Sequence, residues 1–177
     1  GPEKTSKRSN AILREDPDII VIGEMRDRET MANALTAAET GHLVLTTLHT
    51  RDTKGAVNRI ADMFTDERRD EIAGQVSLTL TWVIAQKLVT RIDGKGRIAA
   101  MEVLRNTPAV SNLIRQMTIP QIYSALQTGA NDHMCTLERS LARLVLDGRV
   151  SAEEAERWAN LPEVFKSTLR GSRGPRR

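Results

Sequence analysis

The stretch DIIVIGEMRDRETMANALTAAETGHLVLTTLHT, residues 18–50, decides the fold class of this chain. Residues 18–23 form a continuous apolar run, which is typical of a strand covered on both faces. Asp27 is placed to cap a helix whose apolar residues recur at helical spacing, and Gly41 follows the end of that helix. A second β-rich run at 43–48 completes a βαβ unit, so the order predicts an α/β fold with parallel strands.

Two polar side chains follow the two predicted strands. Glu24 comes directly after Gly23, and His49 comes directly after the second strand. Because a right-handed crossover makes the strands parallel, both side chains are expected at the carboxyl edge of the sheet, where open α/β sheets bind ligands. An acid fixed there can orient a water molecule or hold Mg²⁺ through its water shell. The simpler alternative is that Glu24 is a solvated turn residue.

Hydroxyl groups cluster around the end of the second strand. Thr46, Thr47 and Thr50 accompany His49, and together they could hydrogen-bond a γ-phosphate; the threonines could equally reflect β propensity alone. A metal site shared by His42, His49 and Glu24 is disfavoured. The two histidines bracket a strand seven residues apart, which separates them by about 20 Å.

Other features of the chain exclude several classes of protein. The sequence contains no GxSxG elbow and no GxxxxGK[ST] phosphate loop. Its single cysteine, Cys135, cannot form an internal disulfide. The net charge of +3 and an aromatic content of 3% argue against a stable nucleic-acid partner. No apolar run suggests a membrane span or a signal peptide, so we predict a cytoplasmic protein.

The remaining sequence predicts further helices around one hairpin. Thr65 is placed to cap a long helix, and the turn 93–96 lies between two β-rich runs. Beyond residue 106 the chain is predicted to be helical, with helix starts at four positions marked by capping residues or proline. These starts are Thr107-Pro108, Ile119-Pro120, Thr136 and Ser151.

With these motifs assembled, residues 13–50 resemble the C-terminal half of a secretion-superfamily ATPase, the hexameric motors of type II secretion and type IV pili. The resemblance runs from about Leu13 to Phe165 and is greatest to the pilus retraction ATPases, the PilT class. It implies that IIVIGE is the Walker B element, with Glu24 as the catalytic acid. It also implies that TGHLVLTTLHT is the histidine box, containing His42 and His49.

The resemblance also implies a domain organisation. Residues 1–12 would be a truncated leader that begins with what resembles a tag scar, and 13–106 the C-terminal part of a RecA-like P-loop NTPase core. A small all-helical subdomain is predicted for 107–168, and a disordered basic tail for 169–177. We expect the chain to be a portion of a longer motor, inactive alone, whose Walker A loop and acidic box lie elsewhere.

Residues 109–116, AVSNLIRQ, resemble the AIRNLIRE helix that the family associates with retraction. By this resemblance Asn112, Leu113, Ile114 and Arg115 would belong to a coupling helix that transmits the power stroke. Val110, Leu113 and Ile114 also fit an ordinary buried stripe. Ser111 replaces an arginine of the family motif and Gln116 replaces a glutamate, so the helix departs from that motif at two positions.

The family further implies ATP and Mg²⁺, the ion held through water near Glu24. It implies a homo-hexamer that works against a platform protein at the cytoplasmic side of the bacterial inner membrane. Two alternatives stay open: a secretion or conjugation ATPase of the same superfamily, and a non-enzymatic interaction module that has lost the nucleotide. The four-cysteine zinc module of type II secretion ATPases is absent from the sequence, which favours the pilus branch.

Overall fold

The computed structural model describes residues 18–64 and 66–172, with only the backbone at Asp66. The strands are β1 (Ile19–Ile22), β2 (Leu43–Thr46), β3 (Trp82–Thr90) and β4 (Arg97–Arg105). The helices are α1 (Arg28–Glu39), α2 (Thr53–Asp62), α3 (Asp66–Thr79), α4 (Pro108–Arg115), α5 (Ile122–Thr128), α6 (Leu137–Leu146), α7 (Ala152–Trp158) and α8 (Pro162–Ser172). Short 3₁₀ helices lie at Ile119–Gln121 and Gly129–Asp132.

The predicted βαβ unit is confirmed. Strands β1 and β2 are parallel, in a register that pairs Ile22 with Thr46 at their carboxyl ends. Helix α1 joins them and begins where expected, because the Asp27 carboxylate accepts a hydrogen bond from the Thr30 amide at 2.8 Å. Gly41 has a φ of +98°, a left-handed conformation that favours glycine and turns the chain from α1 into β2.

The prediction that the first strand is covered on both faces is wrong for the described chain. Ile20 is 9% exposed, whereas Val21 is 73% exposed. Successive strand residues point to opposite faces, and β1 and β2 pair only with each other within the residues that the structure describes. One face of this two-stranded sheet is therefore covered, and the other presents apolar side chains.

Helices α2, α3 and α4 complete the first compact unit. Asp52 caps α2 by accepting a hydrogen bond from the Gly55 amide at 2.7 Å. The predicted cap at Thr65 lies outside the described residues. Helix α4 begins at the predicted Thr107 cap and packs against α3. At the carboxyl end of α3, the Asn106 side-chain amide donates to the carbonyls of Ser77 at 2.9 Å and Leu80 at 2.8 Å.

The second compact unit is built on the predicted hairpin, which is confirmed. Strands β3 and β4 are antiparallel from Trp82, opposite Arg105, to Thr90, opposite Arg97. Their covered face joins a core formed with the C-terminal helices. The buried residues of that core are Val89, Ala100, Leu137, Leu141, Ala142, Val150, Ala155, Ala159, Phe165 and Leu169.

These units divide the chain differently from the boundary expected near residue 107. The first unit comprises 18–81 and 106–120, and the second comprises 82–105 and 121–172. The hairpin belongs with the C-terminal helices because Val89 and Ala100 supply apolar surface to their core. Helix α4 belongs with the first unit because its buried face lies against α3.

The predicted disorder of the tail does not extend to residues 169–172. Helix α8 continues to Ser172, because Leu169 is buried in the same cluster as Phe165 and holds this last part of the helix in place. Residues 173–177 lie outside the described part of the chain. None of the described helices combines the length and the apolar character that crossing a membrane requires.

Candidate active site

The candidate site lies at the carboxyl edge of β1 and β2, where two loops are tied together. The Thr47 hydroxyl donates a hydrogen bond to the Gly23 carbonyl, and the Met25 amide donates to the Thr47 carbonyl at 3.4 Å. Both bonds join the segment after β1 to the segment after β2. These bonds fix the distance between the segments that carry the Glu24 and His49 side chains.

Glu24 and His49 meet at this edge. The Nε2 atom of His49 lies 2.9 Å from Oε1 of Glu24. The Glu24 side chain is 25% exposed and that of His49 is 78% exposed, so the acid is partly sheltered and the imidazole faces solvent. The prediction that the two side chains arrive at the same sheet edge is confirmed.

Arg26 is a site residue that the sequence-based argument missed. Its guanidinium lies 2.5 Å from Oε2 of Glu24, so the carboxylate has a basic side chain on each oxygen. The hydrogen bond from Arg26, helped by the charges of Arg26 and His49, lowers the pKa of Glu24 below its usual range against the opposing effect of desolvation. Glu24 is therefore a carboxylate at neutral pH. An arginine two residues after a strand-end acid is the only signal in the sequence for this contact.

The threonines of the predicted cluster have different surroundings. Thr46 is the last residue of β2 and is exposed, whereas Thr47 uses its hydroxyl hydrogen on the Gly23 carbonyl. The Thr50 hydroxyl donates to the Asp52 carbonyl at 3.3 Å, at the start of α2. All three lie on the segment that carries His49, and a hydroxyl that donates one hydrogen bond can still accept others.

The structure does not bring His42 to this edge. His42 precedes β2 and therefore lies at the opposite end of the strand from His49. Its Nδ1 atom is 3.0 Å from the Ala37 carbonyl and 3.1 Å from the Thr40 hydroxyl, so the imidazole closes the carboxyl end of α1. A role for His42 in the nucleotide site stays a prediction.

The predicted coupling helix is α4. Ile114 is buried, Asn112 and Leu113 are half-buried, and Arg115 is exposed and donates to the Asn112 side-chain oxygen at 2.9 Å. Ser111, which departs from the family motif, donates its hydroxyl hydrogen to the Ser77 carbonyl at 2.7 Å. The helix therefore has an anchored side and a solvent side.

No cluster of three or more histidine, cysteine, aspartate or glutamate side chains suited to a metal ion occurs among the residues that the structure describes. Cys135, the single cysteine, is half-buried and donates to the Thr136 carbonyl at 3.3 Å. Burial raises the pKa of its thiol, which keeps the thiol protonated and unreactive.

The family model described as "Type II/IV secretion system protein" matches residues 5–157. The chain belongs to this family. The match includes β1, β2, the hairpin and helices α1 to α6, so the strand-end acid and its histidine neighbour lie within the shared fold. The α/β class and the resemblance to the secretion-superfamily ATPases are confirmed.

Two similar proteins carry names that refer to pilus retraction and to twitching motility. The chain is 48% identical over 160 residues to the "Type IV pilus retractation ATPase PilT" of Pseudomonas aeruginosa, covering 90% of this chain and 46% of that protein. It is 49% identical over 154 residues to the "Twitching motility protein" of Neisseria gonorrhoeae, covering 87% and 41%. The chain thus spans just under half the length of these relatives.

A solved structure of the pilus retraction motor PilT with bound ADP is also similar. Its TM-score is 0.83 at 38% sequence identity, and the match covers 92% of this chain and 45% of that one. At this identity the similarity extends beyond a common fold, which confirms the predicted resemblance to the PilT class.

Proposed function

We propose that this chain is part of an ATPase motor that couples ATP hydrolysis to retraction of type IV pili. The observation that carries the proposal is the contact between Glu24 and His49 at the carboxyl edge of the parallel strands. It is supported by family membership and by similarity to relatives whose names state pilus retraction and twitching motility.

In this proposal Glu24 orients the water that attacks the terminal phosphate. A carboxylate accepts hydrogen bonds only, so it aligns a water through one of the water's protons and can take that proton as the new bond forms. His49 holds Oε1 of Glu24 and limits its rotation. The Thr47 bond to the Gly23 carbonyl keeps the two loops at the spacing that this contact requires.

The residues at this edge fit ATP with Mg²⁺ in part. Mg²⁺ keeps several waters and is held by one or two carboxylates together with substrate phosphates, which a single strand-end acid can satisfy. Glu24 would hold the ion through water, and the exposed hydroxyl of Thr46 would donate to a phosphate oxygen. The hydroxyls of Thr47 and Thr50 would donate to phosphate only by giving up their bonds to the Gly23 and Asp52 carbonyls. When bound, the ion supplies charge neutralisation at the phosphates.

No phosphate loop occurs in the sequence, so we propose that residues beyond this chain cradle the β- and γ-phosphates and that the chain alone does not hydrolyse ATP. The intact motor would be a cytoplasmic homo-hexamer, peripheral to the bacterial inner membrane. It would act on an inner-membrane platform protein of the pilus machinery, with α4 transmitting the movement.

The test is substitution of Glu24 in the full-length protein. Glu24→Gln should lower the steady-state ATP hydrolysis rate by roughly 10²–10⁴-fold while nucleotide binding is retained, because the amide keeps the shape but accepts a proton poorly. His49→Ala should also slow hydrolysis. Glu29→Gln is the matched control, since Glu29 is an exposed glutamate in the first turn of α1. Wild-type turnover by Glu24→Gln would remove the assignment and favour a non-enzymatic module.

A secretion ATPase is the second candidate, because the family description covers both type II and type IV systems. Deletion of the gene separates the two. Loss of twitching with intact protein secretion supports retraction, whereas loss of secretion with normal twitching supports the alternative.

A further inference from the structure

Arg26 occupies one oxygen of the acid to which the proposed function assigns the chemistry. Its guanidinium contacts Oε2 of Glu24 while His49 contacts Oε1, so both carboxylate oxygens are engaged. The guanidinium takes one acceptor position of Oε2 and makes the carboxylate a weaker proton acceptor, so its departure would give an attacking water better access to this oxygen. The Arg26 side chain is 77% exposed, so nothing packed around it prevents that movement.

We propose that Arg26 is a positioning residue that exchanges partners, leaving Glu24 for the terminal phosphate of bound ATP and so releasing Oε2 to the attacking water. The inference rests on the proposed function, since it assigns Glu24 the same role. This exchange would let Glu24 activate water only when a terminal phosphate is present. Arg26 would thus suppress wasteful water activation when ADP is bound.

Physical chemistry favours this exchange. A guanidinium presents five N–H donors in a planar fork that matches a phosphate as well as a carboxylate, and a phosphate bears more negative charge. The neighbouring acid, Asp27, is already engaged in capping α1, since its two oxygens accept hydrogen bonds from the amide and the hydroxyl of Thr30. Glu24 is the carboxylate that holds Arg26 among the residues that the structure describes. While Arg26 stays there it also weakens Glu24 as a proton acceptor, since it lowers the pKa of that carboxyl.

The experiment measures nucleotide affinity in the full-length protein, independently of turnover. The probes are ADP and the non-hydrolysable analogue adenylyl imidodiphosphate, each with Mg²⁺, titrated into wild type, Arg26→Ala, Glu24→Gln and the double variant. Arg26→Ala should lower the affinity for the triphosphate analogue about 10-fold, as expected for loss of a charge-assisted hydrogen bond. It should lower the affinity for ADP less than about 2-fold.

The coupling between the two substitutions decides between exchange and a fixed pair. If Arg26 changes partner, Glu24→Gln frees its guanidinium for the phosphate. Glu24→Gln should then raise the affinity for the analogue more in the wild-type background than in the Arg26→Ala background. If Arg26 stays on Glu24, it neutralises the acid before and after the nucleotide binds. Glu24→Gln should then raise the affinity for the analogue more in the Arg26→Ala background. A coupling of that second sign, or equal loss of ADP and analogue affinity in Arg26→Ala, overturns the proposal.

Two controls keep the outcome interpretable. Arg28→Ala removes an exposed arginine two residues along the chain and should leave both affinities and the coupling unchanged. Arg26→Lys keeps the charge but loses the fork, and should recover part of the analogue affinity. If Glu24→Gln is inactive and the coupling has the wrong sign, only the exchange fails. If Glu24→Gln turns over normally, the proposed function fails.

Discussion

Glu138 is a buried carboxylate that holds the start of the last helix. It is completely buried, and its Oε1 accepts hydrogen bonds from the backbone amides of Asn160 and Leu161, each at 3.0 Å. Oε2 accepts from the Tyr123 hydroxyl at 3.2 Å. Burial, followed by the charge of Glu138, raises the pKa of Tyr123, so that hydroxyl remains a donor at neutral pH. One side chain thereby joins α5, α6 and the segment that leads into α8.

Glu138→Ala should destabilise the chain by about 3 kcal/mol. The substitution removes the acceptor of three hydrogen bonds, and the loss of such a bond at a buried donor costs about 1–3 kcal/mol. The low end applies to each donor here, because Leu161 is 42% exposed and water can reach this segment. For a protein of this size that loss corresponds to a fall in melting temperature of about 6–12 °C.

The assay combines thermal unfolding with amide hydrogen exchange. Exchange at Asn160 and Leu161 should accelerate in Glu138→Ala, while amides in α1 of the first unit keep their protection. Glu138→Gln should cost about half as much, because it retains an oxygen acceptor but loses the charge. Glu153→Ala, at an exposed position in the first turn of α7, is the matched control and should cost less than about 1 kcal/mol. A Glu138→Ala loss as small as that of the control, with unchanged exchange, would refute the reasoning.

Two further predictions concern the surface of each unit. Arg115→Ala should leave melting and basal ATPase activity of the full-length protein unchanged but impair twitching in a cell-based assay, because Arg115 is exposed on α4; normal twitching would make α4 a scaffold helix. In the second unit, hydrogen bonds from the Trp158 indole and Thr90 lower the pKa of Glu154 below its usual 4.5. Its stabilisation is therefore fully present above about that pH and lost as pH falls through the lower folded-state pKa. Urea unfolding should show that Glu154→Gln destabilises the chain at pH 7 and that this loss becomes smaller as the pH is lowered below 4.5; a loss that does not change with pH would contradict this.

The βαβ unit was predictable because its signals are local and agree with one another. Asp27 at the start of α1 and Gly41 beyond its end mark the helix through caps whose geometry depends on neighbouring backbone alone. Parallel strands then follow from the handedness of the connection, and the contact between Glu24 and His49 follows from parallel strands. Each step uses a rule that holds whatever surrounds the unit.

The residues that were missed depend on side-chain direction or on distant segments. Arg26 lies in a loop, where no periodicity sets which way a side chain points. Glu138 has the position of an ordinary first-turn acid in α6, and its burial results from the arrival of residues about 20 positions later in the chain. The extent to which Val21 is exposed likewise depends on which elements cover the sheet rather than on its own sequence.

The discontinuity of the first unit has a consequence for how the chain is made. The carboxyl end of α3 is held by hydrogen bonds from the Asn106 side chain. The ribosome synthesises the hairpin, residues 82–105, before it reaches Asn106. At a synthesis rate of about 5–20 residues per second, the carboxyl end of α3 waits about 1–5 s for Asn106. During this interval Thr81 also lacks the backbone bond from Asn106. The first unit is therefore completed only after a segment that belongs to the second unit has emerged, so a translational pause within the hairpin would delay both units together.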